Sequence, residues 1–328
     1  MSRLGAVVVT WNSEAEIGAC LDALLRWADE VVVVDNASAD GTEGEVRRRG
    51  RAGWIGNRIN RGFGAAANQG IRALETPLVL LVNPDTVLLD SPAPLVAACE
   101  APGVGAAAGR LIGPDGQPQR GFAIRRFPSP AALAFEVLAL NRLWPGNPIN
   151  RRYRCQDFDW SRPAEIEQPA GAFLLLRRAA WEKVNGFDEG FHPIWFEDVD
   201  FLKRLREGGW RVVYRPECRA RHVGAASIGR ISQEDREVCW YSSLLRYAAK
   251  HYGPGAFRAV CASVVAGSVL RMVAGIARER SGGPVRVFGR VAGLAWRQFL
   301  YRRQPHAAGP AERLRQRAEQ EKVQAPVS

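Results

Sequence analysis

The sequence is short of the features that staple, export or embed a chain. Its six cysteines, Cys20, Cys99, Cys155, Cys218, Cys239 and Cys261, lie far apart with no C-x-x-C pair. That excludes a zinc site and a disulfide framework as organising devices and leaves reduced, cytosolic thiols. The N-terminus runs straight into Leu4-Gly5-Ala6-Val7-Val8-Val9, without the basic segment, apolar core and cleavage site of a secretory signal, so export is not expected. Long apolar runs are scarce. The longest, Ala259 to Leu270, is stopped by Arg271 and is shorter than the roughly 20 residues a bilayer requires, so no transmembrane helix is expected. The first apolar strand gives way to Thr10-Trp11-Asn12-Ser13-Glu14. This is neither the basic, glycine-rich phosphate loop of a nucleotidyltransferase nor the dinucleotide fingerprint that a dehydrogenase carries at its first βα turn. No internal repeat is present.

What is there is a globular chain of 328 residues, 47% hydrophobic and 24% charged, enough for a full-sized core. The net charge of +11 is unevenly placed: from Ala256 onward 13 Arg and Lys stand against 4 Asp and Glu, a net +9. A basic patch spread through the fold would point to nucleic acid. A basic tail on a neutral body points instead to docking on an anionic surface, most simply a membrane.

The first third alternates strand and helix. Ala6 to Thr10 is β-branched, a helix fits Glu16 to Trp27, and Val31 to Val34 ends at Asp35. A helix fits Gly41 to Arg49, a short strand Gly53 to Ile55, a helix Ala65 to Leu74 and a strand Leu78 to Val82. Continuous apolar runs mark parallel strands buried on both faces, so the expected class is α/β: a Rossmann-like, mostly parallel sheet flanked by helices. Ligands of such sheets lie beyond the carboxyl ends of the strands. Thr10-Trp11-Asn12, Asp35-Asn36 and Asn83-Pro84-Asp85 all occupy those ends and should converge on one crevice. From Pro92 to Glu167 the pattern is looser, and the arginine-rich Arg120 to Arg126 reads as loops around a second half-site. A strand at Ala172 to Leu176, a helix through Trp181, a turn at Asn185-Gly186-Phe187-Asp188, a helix from Val199 to Glu207 and a strand from Arg211 to Tyr214 follow. After Ser227 the chain reads as helical, broken at Ser281-Gly282-Gly283-Pro284, and past about Gln304 as a charged tail. The expected domains are 1–228 for the sheet, 229–303 for a helical, basic extension and 304–328 for the tail.

Chemistry concentrates in Phe196-Glu197-Asp198-Val199-Asp200, where three carboxylates stand beside Trp195, Phe196 and Phe201. Partly desolvated carboxylates are better proton acceptors and call for a basic or metallic partner. The same acids would also suit the first turn of the helix that follows, because they complement its dipole. Asp35, in Asp35-Asn36-Ala37-Ser38-Ala39-Asp40-Gly41-Thr42, is placed to accept from a pyrimidine imide or ribose hydroxyls, although Ser38 or Asp40 alone would make an ordinary helix cap. Asn60-Arg61-Gly62-Phe63-Gly64-Ala65-Ala66-Ala67-Asn68 holds a G-x-G-x-x-A string in the wrong place for a dinucleotide site, so it reads as a close-packed helix start with Asn60 or Arg61 near the ligand. Asp85 after the third long strand, with Asn83 as a neutral companion, can hold a hard cation, since Mg²⁺ needs only one or two protein carboxylates beside phosphate oxygens and water. A Pro-Asp turn uses the same residues. His222, after the strand beside the acidic cluster, is a candidate metal or diphosphate partner.

Together these motifs resemble the family 2 glycosyltransferases with a GT-A fold, and among them the bacterial rhamnosyltransferase-like enzymes. The resemblance spans about Leu4 to Gly253. It rests on Val7-Val8-Val9-Thr10-Trp11-Asn12, Asp35 to Thr42, Asn60 to Gly64, Asn83-Pro84-Asp85, Gly171-Ala172, Asn185-Gly186-Phe187-Asp188-Glu189, Phe196 to Asp200 and His222. It implies transfer of a sugar, with rhamnose a candidate, from a nucleoside diphosphate of dTDP or UDP type, with inversion and no covalent intermediate. It further implies Thr10, Asn12, Asp35, Asn60 and Asn83 around the nucleotide, and Asp85 and His222 as ligands of Mg²⁺ or Mn²⁺. Asp198 is implied as the general base, with Glu197 and Asp200 orienting it or holding acceptor hydroxyls. Asn83 stands where the family's D-x-D usually has its first acid, and Phe191-His192-Pro193-Ile194-Trp195 departs from the usual aromatic and methionine-rich segment.

The implied acceptor is a saccharide or a polyprenyl-diphosphate-linked one, at the inner face of the plasma membrane, in cell-envelope polysaccharide synthesis. If Val285 to Tyr301 is helical, Arg286, Arg290 and Arg297 fall within roughly 40° of one another, opposite Phe288, Val291, Ala295 and Phe299, a pattern of either an interfacial helix or one packed on the protein. Two other readings compete: a non-catalytic nucleotide-sugar binder, which would not need the acidic cluster, and a nucleotidyltransferase on a similar sheet.

Overall fold

The computed structural model describes residues 3–224, 229, 231–279 and 282–301. Among them the strands are β1 (Leu4–Thr10), β2 (Glu30–Asp35), β3 (Ala52–Gly56), β4 (Leu78–Val82), β5 (Thr86–Leu88), β6 (Val104–Ile112), β7 (Ile124–Arg125), β8 (Ala164–Glu165), β9 (Gln168–Pro169), β10 (Phe173–Arg177) and β11 (Arg211–His222). The helices are α1 (Glu14–Leu24), α2 (Thr42–Arg47), α3 (Phe63–Ala73), α4 (Ala93–Glu100), α5 (Pro130–Val137), α6 (Leu140–Leu143), α7 (Pro148–Tyr153), α8 (Arg178–Lys183), α9 (Glu197–Glu207), α10 (Gln233–His251), α11 (Pro254–Glu279) and α12 (Gly283–Tyr301).

The chain forms two compact units. The first comprises Met1–Phe127, Arg154–Glu189 and Glu197–Arg230. Its sheet runs β3-β2-β1-β4-β10-β6-β11-β5, with β8 beside β11. The four N-terminal strands are mutually parallel, while β10 is antiparallel to both β4 and β6. Every residue of β1 and β4 is buried. Because alternate side chains point to opposite faces, this means both faces of the sheet are covered.

Strand β6 lies in the stretch that reads as loops in the sequence. Its Val104-Gly105-Ala106-Ala107-Ala108-Gly109 is built of small residues because large neighbours press on it. A Cβ at Gly105 would come within 2.8 Å of Trp210 Cβ, and one at Gly109 would collide with the Cys218 carbonyl and the Phe173 ring. Strand β11 also runs past its expected end at Tyr214 to His222, with an irregular register between Tyr214 and Arg219 around Pro216.

The second unit comprises Pro128–Tyr153, Gly190–Phe196 and Ile231–Ser328. The expected boundary at residue 228 is therefore interrupted, since two segments inside 1–228 cluster with the helices beyond. Residues 304–328 lie outside the described residues. Ser129 and Ser232 cap α5 and α10 by accepting from the amides of Ala132 and Asp235, each at 3.1 Å. Phe196 packs against Tyr247 and Trp240, and Phe191 lies under Arg246. Trp195 and Phe196 both have left-handed backbone, with φ of 81° and 67°.

On α12, Val291 and Ala295 are fully buried against α10 and α11, Arg290 pairs with Glu234, and Phe288 lies under Arg271. Its apolar seam is thus packing, and the interfacial reading of this helix is not supported. Helix α11 is longer than the apolar run read from the sequence. Residues Pro254–Arg278 are long and apolar enough to cross a membrane by length and composition, and only 28% of the most apolar window is buried. An unbroken-run criterion stops at Arg271, whose guanidinium instead turns onto the carbonyls of Val137 and Gly267.

Replacing Gly109 with Ala should lower the urea midpoint by an amount equivalent to about 1–3 kcal/mol, the usual cost of overpacking. An unchanged midpoint would mean that Phe173 and the Cys218 peptide can move aside.

Candidate active site

Strand pairing lines up the polar clusters. Thr10 is the register partner of Asp35, Val8 of Val82, and Val82 of Phe173. The residues that follow these positions in β2, β1 and β4, and those that precede Phe173 in the antiparallel β10, therefore form one row. The Asn83 amide donates to the Ala172 carbonyl at 3.1 Å, joining the Asn83-Pro84-Asp85 turn to Gly171-Ala172.

At the β2 end of this row, Asp35 is almost fully engaged. Its Oδ1 accepts from Thr10 Oγ1 at 2.8 Å and from the Ser38 hydroxyl, and its Oδ2 accepts from the Ser38 amide at 2.8 Å. The Asn12 amide donates to Ser38 Oγ, and Asn12 Oδ1 accepts from the Ala39 amide, both at 2.7 Å. Thr10 has no exposed surface. Its expected place against a nucleotide is corrected: it stands behind Asp35 and holds it. Asn60 Oδ1 accepts from the Gly62 amide at 2.9 Å, closing a turn before α3 that Gly62 enters at φ 83°. This is the role of the glycine string. Asn83 is half-buried and makes no side-chain hydrogen bond among the described residues.

Asp85 and His222 meet. Their Oδ1 and Nε2 are 3.5 Å apart and both residues are buried. Asp85 Oδ2 accepts from the Gly224 amide at 2.9 Å. Burial pushes the His222 pKa down while the Asp85 charge pulls it up, and burial wins. A carboxylate oxygen and a neutral imidazole nitrogen converging in this way suit a divalent cation that takes its remaining ligands from phosphate and water. No group of three or more His, Cys, Asp or Glu placed to hold a metal occurs among the described residues.

Helix α9 begins at Glu197, so all three acids fall in its first turn, yet their surroundings differ. Asp198 Oδ2 accepts from the Gly171 amide at 3.1 Å and Oδ1 from the Val199 amide at 2.8 Å. Burial raises its pKa, against the pull of the Gly171 amide and the positive charge of Arg125. A Cβ on Gly171 would lie 3.3 Å from that of Asp198, so the glycine makes room for the carboxylate. Glu197 is buried, Oε2 has no hydrogen-bond partner, and its pKa stands well above the ordinary range through burial and the neighbouring Asp198. Asp200 has no exposed surface, and its Oδ2 lies 2.8 Å from Arg204 Nε. It cannot hold an acceptor hydroxyl and serves the packing of α9.

The profile described as "Glycosyl transferase family 2" matches residues 6–180, more than half of the chain. The chain belongs to glycosyl transferase family 2. A second profile, "N-terminal domain of galactosyltransferase", matches 151–226. The "N-acetylglucosaminyl-diphospho-decaprenol L-rhamnosyltransferase" of Mycobacterium tuberculosis (strain CDC 1551 / Oshkosh) is 31% identical over 244 residues, covering 68% of this chain and 76% of the relative. "Rhamnosyltransferase WbbL" of Escherichia coli (strain K12) is 30% identical over 132 residues, covering 39% and 45%. Among solved structures, the mannosyltransferase PcManGT of Pyrobaculum calidifontis, in complex with GDP-Man and Mn²⁺, superposes with a TM-score of 0.51 at 18% identity, covering 92% of this chain and 88% of that one. GalNAc-T7 with UDP, GalNAc and Mn²⁺ gives 0.55 at 12% identity, covering 75% and 47%. The fold is GT-A, and the protein is a glycosyltransferase. Membership sets aside the nucleotidyltransferase and the non-catalytic binder.

In this glycosyltransferase the segment read as half-site loops supplies partners that the sequence did not single out. Gln119 bonds His222 twice, Phe122 stacks on the His222 ring at 5.3 Å, and Arg125 in β7 faces Asp198 electrostatically. The arginine density was the signal available; the glutamine and phenylalanine carried none. A cavity of about 390 Å³ lies elsewhere, lined by Pro77, Leu78, Arg177 and Arg178 among others. Its two arginines bond carbonyls at the ends of α3 and α4, which marks it as structural.

Glu197→Gln tests the electrostatics. A raised native pKa means that the proton stabilises the fold below the ordinary glutamate range and that this contribution is lost as pH rises through the native value. The variant should match wild type near about pH 4 and gain in Tm relative to it as pH rises. A constant difference across pH would show that Glu197 is not buried as an unpaired acid.

Proposed function

We propose that this glycosyltransferase transfers rhamnose from a dTDP or UDP type nucleoside diphosphate to a saccharide carried on a polyprenyl diphosphate, with inversion, in cell-envelope polysaccharide synthesis. The observation that carries the reading is Asp198, a desolvated carboxylate fixed by two backbone amides beside the row formed by Asp35, Asn83 and Gly171. The names of the M. tuberculosis and E. coli relatives support the sugar and the lipid-linked acceptor.

Asp198 takes the proton of the acceptor hydroxyl as that oxygen attacks the anomeric carbon, and its raised pKa improves it as an acceptor. One base suffices for inversion, whereas a double displacement would need a second carboxylate as nucleophile. Asp35 and Asn12 organise the loop that faces the nucleoside, and Asn83 offers its amide towards the diphosphate. Asp85 and His222 would hold Mg²⁺ or Mn²⁺, which when bound offsets the charge that collects on the leaving diphosphate. Glu197, whose pKa burial and the neighbouring Asp198 raise well above the ordinary range, forms part of the wall next to the base.

The protein works at the inner face of the plasma membrane, and we place its lipid contact on α11. Val269, Val273 and Ile276 project from one face of that helix and Leu270 flanks them, each 46–63% exposed. Arg258, exposed near the N-terminal end of the helix, falls on the same side, suited to anionic headgroups.

Asp198→Asn should preserve donor binding and lower kcat by about a hundredfold or more. Wild-type kcat/KM should fall on the acid side at a pH above the ordinary aspartate range, because Asp198 must be ionised and its pKa is raised. Near wild-type turnover in a folded variant would remove Asp198 from this role.

The double variant Leu270→Glu, Val273→Glu should bind phosphatidylglycerol vesicles at least about tenfold more weakly, since each buried apolar side chain contributes about 1.5–3 kcal/mol. Transfer to a short soluble acceptor should be unchanged. Undiminished vesicle binding would place the lipid contact elsewhere.

A further inference from the structure

Gln119 reaches its place by a turn at the end of β6. Gly113 donates to the Gln117 carbonyl at 2.9 Å, Ile112 bridges Pro118, and the Gln119 amide returns to the Leu111 carbonyl at 3.1 Å. The side chain then makes two bonds to a single residue of β11. Nε2 donates to the His222 carbonyl at 2.9 Å, and Oε1 lies 2.9 Å from His222 Nδ1.

The first bond fixes the second. A carbonyl can only accept, so the amide nitrogen of Gln119 must face it and the amide oxygen must face Nδ1. That oxygen also only accepts, so Nδ1 carries the ring hydrogen. In the neutral ring the lone pair is then on Nε2, 3.5 Å from Asp85 Oδ1. Two acceptors face each other between buried side chains, an arrangement that calls for a cation between them. Phe122 covers the ring at an interplanar angle of 9° and fixes its plane.

We infer that Gln119 is a positioning residue of the cation site: it holds His222 in the Nδ1-protonated tautomer, with Nε2 turned to the divalent ion shared with Asp85, while Phe122 holds the ring plane. This rests on the reading of Asp85 and His222 as cation ligands under the proposed function. Outer partners of a ligating histidine typically change metal affinity by about 10–100-fold when removed. Gln119 is then a determinant of metal affinity without touching metal or substrate.

The test uses the full chain labelled with ¹⁵N-histidine. With four histidines, His222 is assigned by the signal lost in His222→Asn. In the metal-free protein at neutral pH, the wild-type His222 signal should show a protonated Nδ1 and an unprotonated Nε2. Mn²⁺ binding in the presence of UDP, followed by electron paramagnetic resonance, should weaken at least about tenfold in Gln119→Leu and less in Gln119→Glu, which keeps an acceptor for Nδ1. A wild-type ring protonated on Nε2 overturns the inference even if Gln119→Leu does not fold. So does a folded Gln119→Leu that binds Mn²⁺ like wild type while His222→Asn does not. If His222→Asn itself binds Mn²⁺ normally, the reading of the Asp85–His222 pair fails and the inference falls with it.

Discussion

Everything at this active site depends on strand register. Four neighbouring strands deliver their polar ends to one line only because Thr10 pairs with Asp35, Val8 with Val82 and Val82 with Phe173. Side chains alternate between faces with a period of two, so a slip of one residue at any of these pairings would move each side chain of the strand into the packing of the opposite face and carry a site residue out of line. The fully buried β1 and β4 make such a slip expensive, because every residue in them contributes apolar burial. The hydrophobic core therefore acts as the positioning device of the site. The backbone bond from Asn83 to Ala172 extends it to a strand of opposite direction, and through Gly171 to the base.

Three carboxylates in one helical turn show how environment divides like groups into unlike roles. The first turn of α9 favours negative charge for all three. Beyond that shared term, Asp200 has a half-buried arginine, Glu197 has an oxygen without a hydrogen-bond partner, and Asp198 has two amides and the positive charge of Arg125. Asp200 stands in an ion pair, whereas burial raises the pKa of Asp198 and, with the added charge of Asp198, raises that of Glu197 well above the ordinary range. Separating the pKa values of neighbouring acids by their surroundings is a general means of assigning acid and base roles.

How much of this could be read in the sequence followed how strongly each residue announced its surroundings. Strands β1, β2 and β4 were legible because they are continuous β-branched or leucine-rich runs, and the motifs beyond them could be placed at the same end of the sheet. Strand β6 was not, because Phe173 and Trp210 fill the space that larger β6 side chains would occupy, leaving a glycine and alanine stretch with no strand signature. Thr10 and Asp200 were recognisable as members of the site, but their complete burial was not, since burial depends on what the rest of the chain packs over them. The amphipathic stripe of α12 could not distinguish lipid from protein, and α10 and α11 supplied the protein. Gln119 and Phe122 were invisible because their importance comes from a turn that returns them to β11 across about a hundred residues of sequence.

Asn68 binds the peptide of Phe187 on both sides, accepting from its amide and donating to its carbonyl at 2.9 Å each, and accepts from Trp181 Nε1 at 3.2 Å. Arg204, held by Asp200, grips the carbonyls of Val184 and Gly186. The Asn185-Gly186-Phe187 turn is thus bolted to α3 on one side and to the base-bearing α9 on the other, which joins the three into one connected part. A lesion at Asn68 or Arg204 would silence the enzyme by tilting that part, so an inactive variant there reports on leverage rather than on chemistry.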